Sequence, residues 1–100
     1  MFTENELPEG WVLLSENSAR TMKEELQREV CEGHILFGKE VYAIARREDR
    51  DDVLFSAKDI ETPLFSVHLT WSQETKPDWP FVTSFASKYE FIHNWKKIFE

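Results

Sequence analysis

The chain has 100 residues and a mass of 11.9 kDa, with 19 acidic and 12 basic side chains, a formal net charge of −7 and a pI near 5.0. This length indicates one domain, and an apolar fraction of 41% with 14% aromatic residues excludes a disordered acidic tail. The acidic balance disfavours nucleic acid and anionic membrane surfaces as partners, and no apolar run approaches the ~20 residues of a membrane span.

Residues 1–10 predict a flexible acidic arm ahead of a single α+β domain over residues 11–100. Three glutamates share this segment with one proline and one glycine. An acidic start without an apolar segment is unlike a secretory signal, so a cytoplasmic location is expected. The single cysteine, Cys31, excludes an internal disulfide, and one cysteine with three separated histidines predicts no metal site. We also expect no cofactor.

A helix is predicted over residues 16–32. Its apolar positions recur at spacings of three and four: Ala19, Met22, Leu26 and Val30. Either Ser15 or Ser18 is the N-cap, and Gly33 supplies the positive φ at which helices commonly stop. The acidic residues of this segment are expected on its outer face: Glu16, Glu24, Glu25, Glu29 and Glu32.

Residues 34–85 predict a three- to four-stranded antiparallel meander, packed with an N-terminal and a C-terminal helix. The segments expected to be extended are 34–37, 41–45, 53–56 and 64–71, with a further edge strand at 81–85. Residues 46–52 are all charged and predict a solvated hairpin loop, and residues 58–63 predict a polar turn. In the clearest strand, Phe65, Val67, Leu69 and Trp71 face the core, and Leu64, Ser66, His68 and Thr70 lie on a mixed face.

The final helix is predicted over residues 88–99. Ser87 and Glu90 match the S-x-x-E capping box, and Ala86 and Phe91 occupy the positions of a hydrophobic staple. A broad apolar stripe follows, formed by Phe91, Ile92, Trp95, Ile98 and Phe99. Because this stripe is wide for a chain terminus, it is a candidate homodimer face.

His68 is the strongest candidate for a catalytic group, because it could act as a general base that is oriented by Glu74 or Asp78. The favoured interpretation is a hydrogen-bonded, partly exposed histidine. Trp71 is interpreted as a core residue, and Trp79 is left open between a core residue and an exposed anchor for a partner. No activated nucleophile, phosphate loop or metal motif is recognised, so the chain is not expected to be an enzyme.

Charge placement is the more informative feature. Residues 1–62 carry 15 acidic and 8 basic groups, whereas residues 63–100 carry four of each. If the acidic groups converge, they form a negative surface that attracts a basic protein; the alternative is ordinary solubility. The candidate binding residues are Glu24, Glu25, Asp49, Asp51, Asp52, His68, Trp71 and Trp79.

Five short motifs span residues 10–85: Gly10-Trp11-Val12-Leu13, Gly33-His34-x-Leu36-x-Gly38, Asp51-Asp52-Val53-Leu54-Phe55, Val67-His68-Leu69-Thr70-Trp71 and Trp79-Pro80. Together they resemble a group of small, mostly uncharacterised bacterial proteins. Some small acidic proteins of this kind look like immunity partners that neutralise a toxin. The resemblance implies no functional residue.

Three hypotheses follow from the sequence. The preferred one is a cytoplasmic, acidic protein-binding module, such as an immunity-type inhibitor of a basic toxin or nuclease. The second is a small-ligand binder or enzyme with a pocket near His68, Trp71, Glu74 and Trp79. The third is a structural domain that forms homodimers through its C-terminal helix.

Overall fold

The computed structural model describes residues 2–57 and 63–99, except the side chains of residues 96–99. Within these residues the elements are β1 (Trp11–Leu13), α1 (Glu16–Glu29), β2 (Val41–Arg47), β3 (Asp52–Ala57), β4 (Leu64–His68), β5 (Phe81–Phe85) and α2 (Lys88–Phe99). No helix in this part of the chain is long and apolar enough to cross a membrane.

The strands form one antiparallel sheet in the order β1-β2-β3-β4-β5, which confirms the α+β class. The prediction of three to four strands was short by one, because β1 was not recognised as a strand. Its three residues pair with Ala45–Arg47 of β2. A strand this short does not display a period of two, so only its pairing reveals it.

The two helices cover opposite faces of the sheet. Adjacent residues of β3 illustrate this: Val53 and Phe55 pack with Leu26 of α1, whereas Leu54 packs with Phe91 and Trp95 of α2. The face expected to be mixed therefore carries a second core. On β4, Leu64 is 1% exposed and Ser66 is fully buried on the α2 side.

Helix α1 begins as predicted but ends earlier. Ser15 is the N-cap, and its Oγ accepts the Ser18 amide at 3.2 Å. The helix stops at Glu29 because Val30 is extended, three residues before Gly33. Residues 34–37 form turns rather than the expected strand, with His34 and Leu36 buried and Ile35 and Phe37 exposed. The side chains of residues 34–37 therefore alternate between buried and exposed, as in a strand, although the backbone forms a turn.

Helix α2 has the predicted bounds, Lys88–Phe99. The Ser87 hydroxyl accepts the Glu90 amide at 3.0 Å, as in a capping box, but the Glu90 carboxylate accepts the amide of Ala86 at 3.2 Å. Phe91 and Trp95 are buried within their own chain. The side chains of Ile98 and Phe99 lie outside the described residues, as does most of the predicted turn at 58–63.

The N-terminal segment packs against the α2 side of the sheet. Phe2 and Leu7 contact the core cluster that contains Phe91, and the Phe2 and Phe91 rings meet edge to face at 5.9 Å. Glu6 and Lys88 form an ion pair at 3.0 Å. The flexibility predicted for residues 1–10 stays a prediction. A flexible arm would have to break these contacts of Phe2, Glu6 and Leu7.

Candidate functional site

A histidine–aspartate pair marks one end of the sheet. Asp52 begins β3 and His68 ends β4, and the two are direct cross-strand partners, so their side chains lie on the same face. His68 Nδ1 is 2.7 Å from Asp52 Oδ1. Because a carboxylate can only accept, Nδ1 carries the proton, and the neutral ring offers Nε2 as an acceptor.

Asp52 is fully buried, which corrects its assignment to an exposed acidic loop. The hairpin loop is shorter than the charged run of the sequence, and β3 starts at Asp52 with this side chain inward. Arg47 compensates its charge, with Nη1 3.6 Å from Oδ2. Arg47 also donates to Asp49 at 3.0 Å and lies 4.7 Å from the centre of the Trp95 ring.

A cavity of about 380 Å³ opens beside this pair. Its lining residues are Arg50, Asp52, His68, Trp79 and Phe81. Arg50 comes from the β2–β3 loop, and Phe81 begins β5 opposite His68 of β4. Trp79 is 45% exposed and Phe81 is 50% exposed, and neither ring packs on another aromatic ring of the described chain. The site therefore combines an aromatic wall with an imidazole and a guanidinium.

A second histidine, missed in the sequence, fixes the loop that carries Trp79. His34 is 6% exposed, and its Nε2 lies 2.8 Å from the carbonyl oxygen of Pro80. Its Nδ1 accepts the amide of Leu36 at 3.0 Å, so Nε2 carries the proton and donates to Pro80. Trp79 thereby reaches the cavity from a loop held by the turn after α1. His34 and Pro80 are 46 residues apart, so no local sequence pattern could have predicted this hydrogen bond.

The same turn approaches this loop at Gly33. Gly33 has φ +97, and a Cβ at this position would lie 3.3 Å from Pro77 Cβ. The positive φ predicted for Gly33 is confirmed, but this residue lies three positions after the C-cap Val30, where the glycine also allows the close approach.

A buried carboxyl group, Glu29, fixes the turn after β4. Its Oε1 accepts the amide of Thr70 and its Oε2 accepts the amide of Trp71, both at 2.8 Å. Trp71 has φ 58, a left-handed conformation that is uncommon outside glycine, and the carboxyl group stabilises it. The Thr70 hydroxyl is 2.7 Å from Glu74 Oε2 and 3.1 Å from Glu29 Oε1, and can donate to one of them at a time.

This environment changes the acidity of two helix residues. Burial, aided by the hydrogen bond with Glu25, raises the pKa of Glu29 to about 7 against the opposing effect of the donors from Thr70 and Trp71. Burial also acts to raise the pKa of Glu25, but hydrogen bonds with Glu29 and Arg28 outweigh it and lower that pKa. Of these two neighbouring carboxyl groups, Glu29 is therefore the weaker acid.

The structure separates the predicted acidic surface into exposed and buried groups. Glu24, Asp49 and Asp51 are exposed. Glu25 is 8% exposed and pairs with Arg28 at 2.7 Å, and Glu29 is fully buried, so both were wrongly placed on the outer face of the helix. The helical period contained this signal, since positions 25 and 29 each follow an apolar core position by three residues.

The aromatic and acidic neighbours proposed for His68 are also separated. Trp71 is 45% exposed, which corrects its assignment to the core, and it does not line the cavity. Glu74 accepts a hydrogen bond from the Thr70 hydroxyl. Asp78 lines a different groove, which shares only Phe81 with the cavity. The residue that orients His68 is therefore Asp52. Sequence reasoning missed this contact because it depends on the register between β3 and β4, which places Asp52 opposite His68.

The site is suited to binding through hydrogen bonds, charge and ring contacts. On the same face, Ser66 and Thr83 are cross-strand partners with buried hydroxyl groups that make no hydrogen bond. In the described part of the chain, no group of three or more His, Cys, Asp and Glu side chains could hold a metal ion.

Comparison with known proteins provides no assignment for this arrangement. No family model, curated protein sequence or solved structure matches the chain.

Proposed function

We propose that this protein binds a small ligand in the cavity beside His68. The observation that carries the proposal is the 2.7 Å contact between His68 Nδ1 and the buried Asp52, at the wall of a cavity lined by Trp79 and Phe81. Ligand sites commonly combine apolar rings with a few oriented polar groups. Binding without turnover is the function proposed.

The His68–Asp52 pair is already oriented for ligand binding. Asp52 and its partner Arg47 hold the imidazole in one orientation, and the Nε2 atom makes no hydrogen bond within the described residues. An oriented group loses little conformational freedom when a ligand binds, which favours affinity. The half-exposed rings of Trp79 and Phe81 supply apolar area that a ligand would cover.

The test is a fragment screen on the full chain, followed by two-dimensional NMR of the indole and imidazole groups. Saturable shifts at Trp79 and His68 are expected, with weaker binding by W79A and H68Q. Trp71 provides a matched control, because it has the same exposure as Trp79 and lies outside the cavity. W71A should bind as the wild type does. Equal losses in W71A and W79A, or no hit at the cavity, would refute the proposal.

A second candidate function is a cytoplasmic module that docks a basic protein, such as an immunity-type inhibitor of a toxin or nuclease. It is supported by the exposure of Glu24, Asp49 and Asp51 and by the net charge of −7. Burial of Glu25, Glu29 and Asp52 removes three groups from such a surface. The geometry therefore favours the cavity.

The docking function is tested by affinity capture at low and high salt with charge-reversal variants. A basic protein that is lost at high salt, and also lost with E24K or D51K, would support it. Retention of the partner by both reversal variants would exclude the acidic surface.

Self-association through α2 stays a proposal of lower rank. Phe91 and Trp95, which motivated it, are buried against the sheet. Sedimentation of the full chain at high concentration distinguishes the monomer from a dimer.

A further inference from the structure

We infer that the ligand of the His68 cavity is a planar ring that bears an acidic group, such as an aromatic carboxylate or a ring-linked phosphate. This inference rests on the proposed binding function and specifies its ligand class. It follows from three properties of the cavity wall: its uncompensated charge, its aromatic surface and the fixed direction of its histidine.

The uncompensated charge belongs to Arg50. Of the charged groups that line the cavity, Asp52 is already paired with Arg47 and accepts a hydrogen bond from His68. The Arg50 guanidinium makes no ion pair or hydrogen bond within the described chain. Arginine is always charged, and its planar fork fits the oxygens of a carboxylate or phosphate. An anionic group is therefore the complement of this wall.

The aromatic surface consists of Trp79 and Phe81. Both rings are about half exposed and lack aromatic partners in the described chain. Rings of this kind recognise flat ligands by stacking or edge contacts, which are stronger than contacts with a saturated ring of similar size. Because His34 holds the Trp79 loop through Pro80, the wall is supported before a ligand arrives.

His68 adds a directional contact between these two features. Its Nδ1–H is committed to Asp52, so Nε2 is the atom that a ligand can reach. The neutral imidazole accepts a hydrogen bond at Nε2, and the protonated imidazole donates one to an anion. A phosphate monoester that retains one O–H satisfies the first state, and a carboxylate satisfies the second.

The acidic residues around Arg50 make a specific contact distinguishable from general electrostatic attraction. Glu48, Asp49 and Asp51 flank Arg50 in the sequence and are exposed. They lower the general attraction of this region for anions, so anion binding here requires direct contact with Arg50. A variant that removes a distant positive charge should then have little effect.

The experiment titrates the full-length chain with four probes and follows the Trp79 indole and His68 imidazole signals by NMR. The probes are benzoate, phenyl phosphate, benzamide and cyclohexanecarboxylate. Benzoate or phenyl phosphate should bind about tenfold more tightly than the neutral amide and the saturated acid. The stronger of the two anions identifies the acidic group as carboxylate or phosphate.

Two arginine variants of equal charge provide the control. Arg46 and Arg50 are both exposed, but only Arg50 lines the cavity. R50Q should weaken binding of the preferred anion about tenfold, and R46Q should leave it within about twofold. Equal effects of R46Q and R50Q would overturn the contact with Arg50.

The outcomes separate this inference from the proposed function. If benzamide binds as well as benzoate, the acidic group is refuted and the binding site remains. If cyclohexanecarboxylate binds as well as benzoate, the planar ring is refuted. If fragments of other classes occupy the cavity and none of these anions does, the ligand class is wrong. If no compound perturbs Trp79 or His68, the binding function itself is refuted.

Discussion

Replacement of Glu29 by glutamine should remove a pH dependence from the stability of the protein. Glu29 is fully buried and accepts hydrogen bonds from the amides of Thr70 and Trp71. Its pKa is raised by burial from 4.5 to about 7 in the folded protein. Glutamine has the shape of the protonated acid but does not titrate.

The sign and size of the effect follow from linkage. A folded pKa above the unfolded value means that the contribution of Glu29 to stability is complete below pH 4.5 and is lost as the pH rises through about 7. The slope is about 1.4 kcal/mol for each pH unit between the two pKa values, so wild type should lose about 2–3 kcal/mol relative to E29Q between pH 5 and pH 8. The lowered pKa of Glu25 acts below this window, because its stabilising contribution is lost only as the pH falls.

The assay is urea unfolding of both proteins at pH 5, 6, 7 and 8, with the free energies compared at each pH. E24Q is the matched control, since Glu24 lies on the same helix, loses the same charge and is exposed. The Thr70 and Trp71 amide signals should titrate with a midpoint near pH 7 in wild type only. Parallel stability curves for wild type and E29Q would refute the assigned role of this carboxyl group.

Two further predictions concern the loop and the core. H34A should weaken ligand binding at the cavity several-fold, although His34 does not line it, because the bond from Nε2 to Pro80 would be lost; unchanged affinity by NMR titration would refute this positioning role. F91A should lower the free energy of unfolding by about 3–5 kcal/mol in urea, since this fully buried ring contacts Phe2, Trp11 and Phe85. A loss below about 1 kcal/mol would mean that Phe91 does not join α2 to the sheet.

The sequence was sufficient for the elements whose signals are local. The capping serines at positions 15 and 87 and the apolar periods after them predicted where both helices begin. The alternation in residues 64–71 predicted β4, although the strand ends at His68, and the charged run 46–52 predicted a hairpin. In each case the signal lies within one or two turns of helix or within one strand, so no distant contact is needed to interpret it.

Two predictions made from local sequence were wrong because distant contacts decide the structure of those segments. Residues 34–37 were predicted to be extended because β-branched and aromatic residues favour strands, yet they form a turn in which His34 donates a hydrogen bond to Pro80. Asp52 looked like part of a solvated acidic run until the β3–β4 register placed it opposite His68. Residue type alone does not distinguish a surface carboxylate from one that orients an imidazole.

The sequence by itself determined the α+β class, the approximate positions of most elements and the presence of chemically suggestive residues at His68 and Trp79. What only the tertiary structure decided was which of these residues meet. The His68–Asp52 contact, the support of the Trp79 loop by His34 and the bond between Glu29 and the Thr70–Trp71 turn join residues 16 to 46 positions apart. Such contacts depend on strand register and on the packing of both helices, which are properties of the whole chain.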